Sequence, residues 1–175
     1  MQAQDKIIIF TDGSSFGNPG PGGWGAVILF QREDNVVEIG GNETHTTNNK
    51  MELSAAIESL QAVKDKDGDV VFHTDSTYLM DGITKWIHNW IKRGWKTADK
   101  KEVLNQDLWQ RLFMLKEERE KKWKIYWKKV PAHSGVLANE RADTVATSFA
   151  EKRDVTFAHG TLEEYEKLFQ GKFII

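Results

Sequence analysis

Two acidic residues follow apolar runs of closely similar composition. Asp12 comes directly after residues 7–11, and Asp75 comes directly after residues 70–74. Each run is short and rich in β-branched residues, which is typical of a buried strand. Because open α/β sheets carry their sites outside the carboxyl ends of their strands, we expect both carboxylates at one edge of one sheet. The pair predicts a shared acidic site.

Two further acids lie on the edges of predicted helices. Glu52 falls in the first turn of a helix that we expect to begin after residues 46–49, and Asp143 falls on a helix expected over about 138–150. A first-turn glutamate usually just complements the helix dipole, and an aspartate inside a helix is normally solvated. Both acids, however, border apolar stripes that face the core. We therefore predict a site of four carboxylates: Asp12, Glu52, Asp75 and Asp143.

Four carboxylates in one pocket repel one another unless cations neutralise them. The sequence contains no cysteine, so thiolate zinc sites, cysteine nucleophiles and disulfides are excluded. Oxygen ligands favour Mg²⁺ or Mn²⁺, and two such ions about 4 Å apart can hydrolyse a phosphodiester. His133 lies in a predicted loop. A lone loop histidine is usually incidental, but beside a metal site it is a candidate for proton transfer or product release.

A basic segment, residues 85–101, follows the second acidic strand end. It holds six cations against one acid, and three tryptophans are interleaved with them. One explanation is a pair of short helices whose tryptophans fill a core beneath solvated lysines. We favour a protrusion that binds nucleic acid, because cations suit phosphates and flat aromatic rings suit sugars and bases. The residues alone therefore predict a metal-dependent phosphodiesterase of nucleic acid.

The remaining elements predict an α/β protein. Strands at 24–29 and 36–40 join the first strand in an antiparallel meander, with residues 13–23 as a Gly/Pro-rich loop. A strand over 123–130 precedes the last long helix. Near the end, Thr161 and Glu164 fit a capping box for a helix over about 162–169, and the apolar residues 173–175 are expected to dock on another part of the chain.

Length and composition favour one domain in a reducing compartment. The 175 residues carry a formal charge of −2, so any affinity for nucleic acid must be local. No apolar run approaches the ~18 residues of a membrane span, and residues 1–6 show no signal peptide. We expect a cytoplasmic monomer that does not contact membranes.

Across about residues 6–150 the chain resembles ribonuclease HI, the type 1 ribonuclease H family. The matching stretches are Phe10-Thr11-Asp12-Gly13-Ser14, residues 17–25, Thr47-Asn48-Asn49-Lys50-Met51-Glu52-Leu53, Thr74-Asp75-Ser76, and His133 with Asn139-Glu140-Arg141-Ala142-Asp143. The resemblance implies a five-stranded mixed sheet, with three antiparallel strands followed by two parallel ones, flanked by helices and carrying a basic helical protrusion. It assigns residues 1–150 to a catalytic domain and leaves residues 151–175 as an extension without a role.

The resemblance also implies an activity, which is hydrolysis of the RNA strand of RNA–DNA hybrids, largely independent of sequence, leaving 3′-hydroxyl and 5′-phosphate ends. The four carboxylates would bind two Mg²⁺ ions, with Mn²⁺ as a possible substitute, and His133 would assist at the leaving group. The residues implied in binding the RNA strand are Gly13, Ser14, Ser15, Asn18, Thr47, Asn48 and Asn49. Those implied in binding the DNA strand are Trp86, Trp90, Lys92, Arg93, Lys96, Lys100 and Lys101.

One departure from the family pattern lies beside the histidine. Pro131 and Ala132 precede His133 where a glycine is common, which predicts a stiffer loop. The sequence leaves two alternatives open: a module that binds hybrids without cutting them, and a strand-transfer enzyme of the integrase or transposase group. The intact acidic set argues against the first, and the lack of a further DNA-recognition domain argues against the second.

Overall fold

A mixed sheet forms the centre of the structure, a computed structural model that describes residues 5–174. The strands are β1 Lys6–Ser15, β2 Gly20–Phe30, β3 Asn35–Thr46, β4 Asp69–Thr74, β5 Ile125–Lys129 and β6 His159–Gly160, in the order β5-β4-β1-β2-β3-β6. Strands β1 to β3 are antiparallel, and β4 and β5 run parallel to β1. The predicted class and the succession of antiparallel and parallel strands are confirmed.

The predicted number of strands is wrong by one. The sixth strand, β6, has two residues and pairs with Val36 and Val37 of β3. Two residues are too few to show the alternation that identifies a strand in a sequence. This strand comes from the C-terminal extension, which therefore joins the sheet.

The glycine-rich stretch 13–23, predicted as a loop, is mostly strand. Only residues 16–19 turn, and β1 and β2 continue on either side. A β-carbon on Gly23 would lie 2.2 Å from the carbonyl oxygen of Ala146, and one on Gly25 would lie 2.5 Å from that of Ala142. These glycines let a helix pack directly on the sheet backbone. That helix carries Asp143.

Helices cover both faces of the sheet. They are α1 Asn48–Ala62, α2 Thr77–Asp81, α3 Ile87–Lys92, α4 Gln106–Glu120, α5 Leu137–Ala150 and α6 Leu162–Phe169, with a π-helical turn at Gly82–Trp86 between α2 and α3. The apolar stripe predicted for α1 is buried throughout. The helix and capping box predicted at 162–169 are both present.

Alternate residues of the strands supply two separate cores. Ile7 and Ile9 of β1 face α1 and α4, where Trp109 is fully buried. Ile8 and Phe10 face α5 and the C-terminal extension, where Tyr165 and Phe173 are buried. The expected docking of the apolar terminus is thus seen for Phe173.

Parts of two sequence expectations fall outside the described residues. Residues 1–4, on which the absence of a signal peptide rests, and Ile175, the last residue of the apolar terminus, are not described. Within residues 5–174, no helix combines the length and the apolar character that crossing a membrane requires.

Candidate active site

Three of the four predicted carboxylates meet at one edge of the sheet. Asp12, Glu52 and Asp75 each offer an oxygen atom, and these atoms lie within 4.8 Å of one another. The parallel register of β1 and β4 pairs Thr11 with Thr74, so the aspartate after each threonine emerges at the same edge. The two aspartates converge as predicted, but only β4 ends before its aspartate, because β1 continues past Asp12 to Ser15.

Glu52 reaches this edge because the first turn of α1 lies on the end of β1. The helix begins at a Thr47 cap, whose side-chain oxygen accepts a hydrogen bond from the Lys50 amide at 3.3 Å. Gly13 packs directly against the backbone of α1, and no side chain would fit between the strand and the helix at this point. The Asn18 side chain accepts a hydrogen bond from the Asn48 amide at 3.3 Å, which ties the β1–β2 turn to the same helix end.

Asp143 lines the same cleft but lies outside the group of three. Its carboxylate accepts a hydrogen bond from the Thr147 hydroxyl at 3.2 Å, one turn further along α5. The charge of Asp143 still contributes to raising the pKa of Asp12. The structure thus places three carboxylates together and the fourth at the rim.

Two of the carboxyl groups, those of Asp12 and Glu52, have raised pKa values. Burial is the largest cause and the Asp75 charge the next, and together they raise the pKa of Asp12 to about 7, although the Gly13 amide donates to its carboxylate at 2.8 Å. Burial, followed by the charges of Asp12 and Asp75, raises the pKa of Glu52 well above its usual value. A divalent cation would reverse both effects.

The donor set fits such a cation. One carboxylate oxygen of Glu52, Oε2, is buried and has no hydrogen-bond partner among the described residues. A buried oxygen of this kind needs a partner, and three carboxylates without sulfur or nitrogen ligands suit a hard cation. Asp12, Glu52 and Asp75 are therefore the residues that would hold it, with Asp143 at the rim.

The surrounding cleft has a volume of about 480 Å³. Predicted site residues that line it besides the carboxylates are Gly13, Ser14, Asn48, Asn49 and His133. His133 lies on an exposed loop with a left-handed backbone, at φ 51°. The Ser15 hydroxyl instead donates a hydrogen bond to the Gly17 carbonyl, and the Thr47 side chain caps α1.

Sequence reasoning missed several residues of the cleft, and Tyr78 is the most informative. Its hydroxyl oxygen accepts hydrogen bonds from the Trp109 indole at 3.0 Å and from the Asn105 amide group at 3.1 Å. Ser76, Thr77 and Ala132 also line the cleft. The sequence pointed to residues 76–78 as part of the site only in that they directly follow Asp75.

The tryptophans of the basic protrusion agree partly with core packing and partly with binding of nucleic acid. Trp86 is 38% exposed, whereas Trp90 packs against the core residue Trp109, with ring centroids 5.4 Å apart. Trp86 also contacts Tyr78, so the aromatic array runs from the protrusion to the cleft. Lys96 forms an ion pair with Glu102 at 2.9 Å. Within residues 5–174, none of the following forms an ion pair: Lys92, Arg93, Lys100 and Lys101.

A mixed sheet with carboxylates clustered where the parallel pairing of β1 and β4 stops defines an α/β protein with a candidate metal site. The chain belongs to the ribonuclease H family: the RNase H family model matches residues 4–151. It is 54% identical to a ribonuclease H of Maricaulis maris (strain MCS10) over 140 residues, which cover 80% of this chain and 90% of that protein. It is 51% identical to a ribonuclease H of Thermosynechococcus vestitus (strain NIES-2133 / IAM M-273 / BP-1) over 140 residues, covering 79% and 84%.

Solved structures agree with this assignment. LC9-RNase H1, described as a type 1 RNase H with the type 2 active-site motif, is 30% identical with a TM-score of 0.75, covering 94% of this chain and 82% of its own. LC11-RNase H1, solved in complex with an RNA/DNA hybrid, is 26% identical with a TM-score of 0.60, covering 83% and 97%. The resemblance and the enzyme class, an endoribonuclease of the ribonuclease H type, are confirmed. Family membership also implies the use of a divalent metal.

Proposed function

We propose that this enzyme hydrolyses the RNA strand of RNA–DNA hybrids with Mg²⁺ as its metal, leaving 3′-hydroxyl and 5′-phosphate ends with little dependence on sequence. The observation that carries the proposal is the convergence of carboxylate oxygens of Asp12, Glu52 and Asp75 within 4.8 Å, with one Glu52 oxygen that has no hydrogen-bond partner within residues 5–174. The LC11-RNase H1 complex supports the choice of substrate, because that relative was solved with an RNA/DNA hybrid.

The four carboxylates act as the metal-holding set. Two bound Mg²⁺ ions would activate the attacking water and stabilise the leaving oxygen of the phosphodiester. Asp12, Glu52 and Asp75 supply charge at the centre, and Asp143 supplies it from the rim on α5. Because Mn²⁺ accepts the same oxygen ligands, it is the expected substitute.

His133 acts near the leaving group as a proton carrier. It lines the cleft with the carboxylates but lies on an exposed loop, so it can reach a product phosphate without blocking the metal-holding residues. Pro131 and Ala132 restrict the start of this loop. Because His133 lines the cleft from an exposed loop, we assign it to proton transfer at the leaving group and to product release.

Two surfaces divide the recognition of the hybrid. On one side of the carboxylates, Ser14, Asn48 and Asn49 present polar groups to the RNA strand and its 2′-hydroxyls, which DNA lacks. On the other side, the protrusion presents to the DNA strand the exposed face of Trp86 and four cations that form no ion pair within residues 5–174. Asn18 and Thr47 act indirectly, by fixing the end of α1.

The proposal is tested by cleavage of end-labelled RNA–DNA, RNA–RNA and DNA–DNA duplexes, with Mg²⁺ and with EDTA. We expect cutting of the RNA strand of the hybrid alone, abolished by EDTA and by Asp12→Asn. Asp65→Asn, a matched change at an exposed turn far from the cleft, should cut like the wild type. Hybrid binding without cutting in Mg²⁺ or Mn²⁺ would contradict the proposal and favour a binding module.

Two further expectations accompany this function. The absence of cysteine fits a reducing cytoplasm, and one site built from one chain fits a monomer. Fractionation of cells and sedimentation of the purified enzyme test them. A stable dimer or an exported enzyme would overturn the respective expectation.

A further inference from the structure

The C-terminal extension packs on the face of the sheet that carries α5. Its short strand β6 pairs with β3, and its helix α6 follows immediately. Tyr165 and Phe173 are each at least 98% buried. These residues lie beyond position 151, where the match to the family ends. The extension thus contributes to the hydrophobic core beneath the catalytic edge.

A buried glutamate, Glu38 of β3, joins the extension to α5. The Arg141 guanidinium donates to it through Nε at 2.8 Å and through Nη2 at 2.9 Å. The Tyr165 hydroxyl donates at 2.6 Å and the Ala158 amide at 2.9 Å. The carboxylate side chain has no exposed surface, so each of these four donors matters to it.

The same arginine is also held from its other side. The guanidinium carbon of Arg141 lies 4.1 Å from the centroid of the Phe169 ring of α6. Arg141 therefore contacts β3 through its nitrogens and the extension through its flat face. It lies two residues before Asp143 on α5, so these contacts fix the segment of helix that carries the fourth carboxylate.

The end of the extension lies beneath the two catalytic strand ends. The Phe173 ring meets the Phe10 ring edge to face at 5.8 Å, and Phe10 stacks on His73 at 4.3 Å. Phe10 lies two residues before Asp12, and His73 lies two residues before Asp75. Phe173 thus contacts β1 directly and β4 only through the Phe10–His73 stack.

The extension also contacts the residue where the histidine loop ends. The carbonyl of Lys172 accepts a hydrogen bond from the amide of Leu137 at 3.3 Å. Leu137 is the first residue of α5 and follows the loop that carries His133. One segment therefore contacts β1, α5 and the end of the histidine loop.

We propose that the C-terminal extension, residues 151–174, is a positioning element of the active site, acting through Phe173 under β1 and β4 and through Tyr165 and Phe169 on the Glu38–Arg141 pair. The inference rests on the proposed function, because it concerns the same carboxylates. Groups that orient metal-holding residues commonly change metal affinity or activity by about 10- to 100-fold when lost. The extension should therefore affect metal binding and turnover more than affinity for the hybrid.

The test uses Phe173→Ala and Tyr165→Phe in the full chain. We expect Phe173→Ala to weaken Mg²⁺ binding, measured by calorimetry without substrate, by about tenfold and to lower kcat with little change in KM. Tyr165→Phe removes one hydroxyl and should shift both quantities in the same direction by a smaller factor. It remains informative if Phe173→Ala fails to fold.

Two controls separate positioning from general stability. Leu60→Ala empties a buried site at the far end of α1, and should lower Tm while leaving Mg²⁺ affinity and kcat unchanged. Leu168→Ala alters α6 at a side chain that is 63% exposed, and should change neither Tm nor catalysis. If Phe173→Ala and Tyr165→Phe behave like Leu60→Ala, the positioning role is wrong. If the wild type itself cuts no hybrid, the proposed function fails instead.

Discussion

Gly13 lies directly against the backbone of Glu52. A β-carbon on Gly13 would be 2.4 Å from the Glu52 amide nitrogen and 2.6 Å from the carbonyl carbon of Met51. No side chain therefore separates the end of β1 from the first turn of α1. This contact brings together the carboxyl groups of Asp12 and Glu52, two residues that are 40 positions apart in sequence.

Gly13→Ala should push α1 away from β1. Overpacking of this kind typically costs about 1–3 kcal/mol, which denaturant unfolding would measure. Because the two carboxyl groups would also separate, Mg²⁺ binding should weaken. Gly171→Ala is the control for the unfolding measurement, since its β-carbon would meet only ordinary contacts of 3.5 Å. A Gly13→Ala protein with wild-type stability and metal affinity would show that the close contact is dispensable.

The raised pKa of Asp12 makes the metal-free protein sensitive to pH. Its pKa rises from 3.8 to about 7 on folding, mainly through burial and then through the charge of Asp75. Between these values the folded state holds a proton that the unfolded state has released, so stability falls as pH rises from about 4 to about 7. Above about pH 7 the protonated Asp12 no longer contributes to the stability of the folded state.

Asp12→Asn should therefore stabilise the metal-free protein at pH 8, by on the order of 2–4 kcal/mol, while abolishing cleavage. The advantage should shrink as pH falls towards 4. Thermal unfolding in EDTA measures it, and addition of Mg²⁺ should raise Tm for the wild type much more than for the variant. An Asp12→Asn protein that is less stable than the wild type at pH 8 would contradict this account.

The features that sequence reasoning recovered are local ones. Thr161 and Glu164 lie three residues apart and cap each other's backbone, so the helix at Leu162–Phe169 was predictable from a short window. The approach of Asp12 and Asp75 to one edge was visible in the same way, because a run of β-branched residues stops before each, although β1 itself continues past Asp12 to Ser15. Their meeting then followed from the general geometry of parallel strands.

The features that were missed depend on partners far away in the chain. Glu38 looks like a solvent-facing strand residue until Arg141, 103 residues later, covers it. Gly23 was predicted to lie in a loop, whereas the lack of side chains at Gly23 and Gly25 is required by the approach of α5. The separation of Asp143 from the other carboxylates is likewise set by packing between helix and sheet. These contacts join residues that are far apart in the chain, so a short stretch of sequence does not reveal them.

His133 should affect turnover without affecting metal binding. His133→Ala is expected to lower kcat by about 10²-fold, the lower end of what positioned proton transfer contributes. Mg²⁺ affinity should stay unchanged, because the three clustered carboxylates do not include the histidine. His45→Ala, at an exposed position on β3, is the matched control. Steady-state kinetics with calorimetry would decide, and an unchanged kcat would remove His133 from the reaction.

The protrusion should account for most of the salt dependence of hybrid binding. The relevant cations are Lys92, Arg93, Lys100 and Lys101, which form no ion pair within residues 5–174, whereas Lys96 is paired with Glu102. Each phosphate contact contributes about 0.9 to the slope of log affinity against log salt for duplex DNA, so replacing all four with Ala should flatten the slope by roughly 2 to 4. The measurement is hybrid binding in EDTA, where no cutting occurs.

The matched control for this change removes charge from the opposite end of the molecule. Lys121 and Lys122 pair with Glu118 and Asp67 at the turn between α4 and β5, away from the cleft. Replacing both with Ala should leave the slope nearly unchanged, because neither cation is placed to meet a phosphate of the bound hybrid. If both sets of changes flatten the slope equally for each charge removed, the effect comes from net charge. The protrusion would then not be a specific binding surface for the DNA strand.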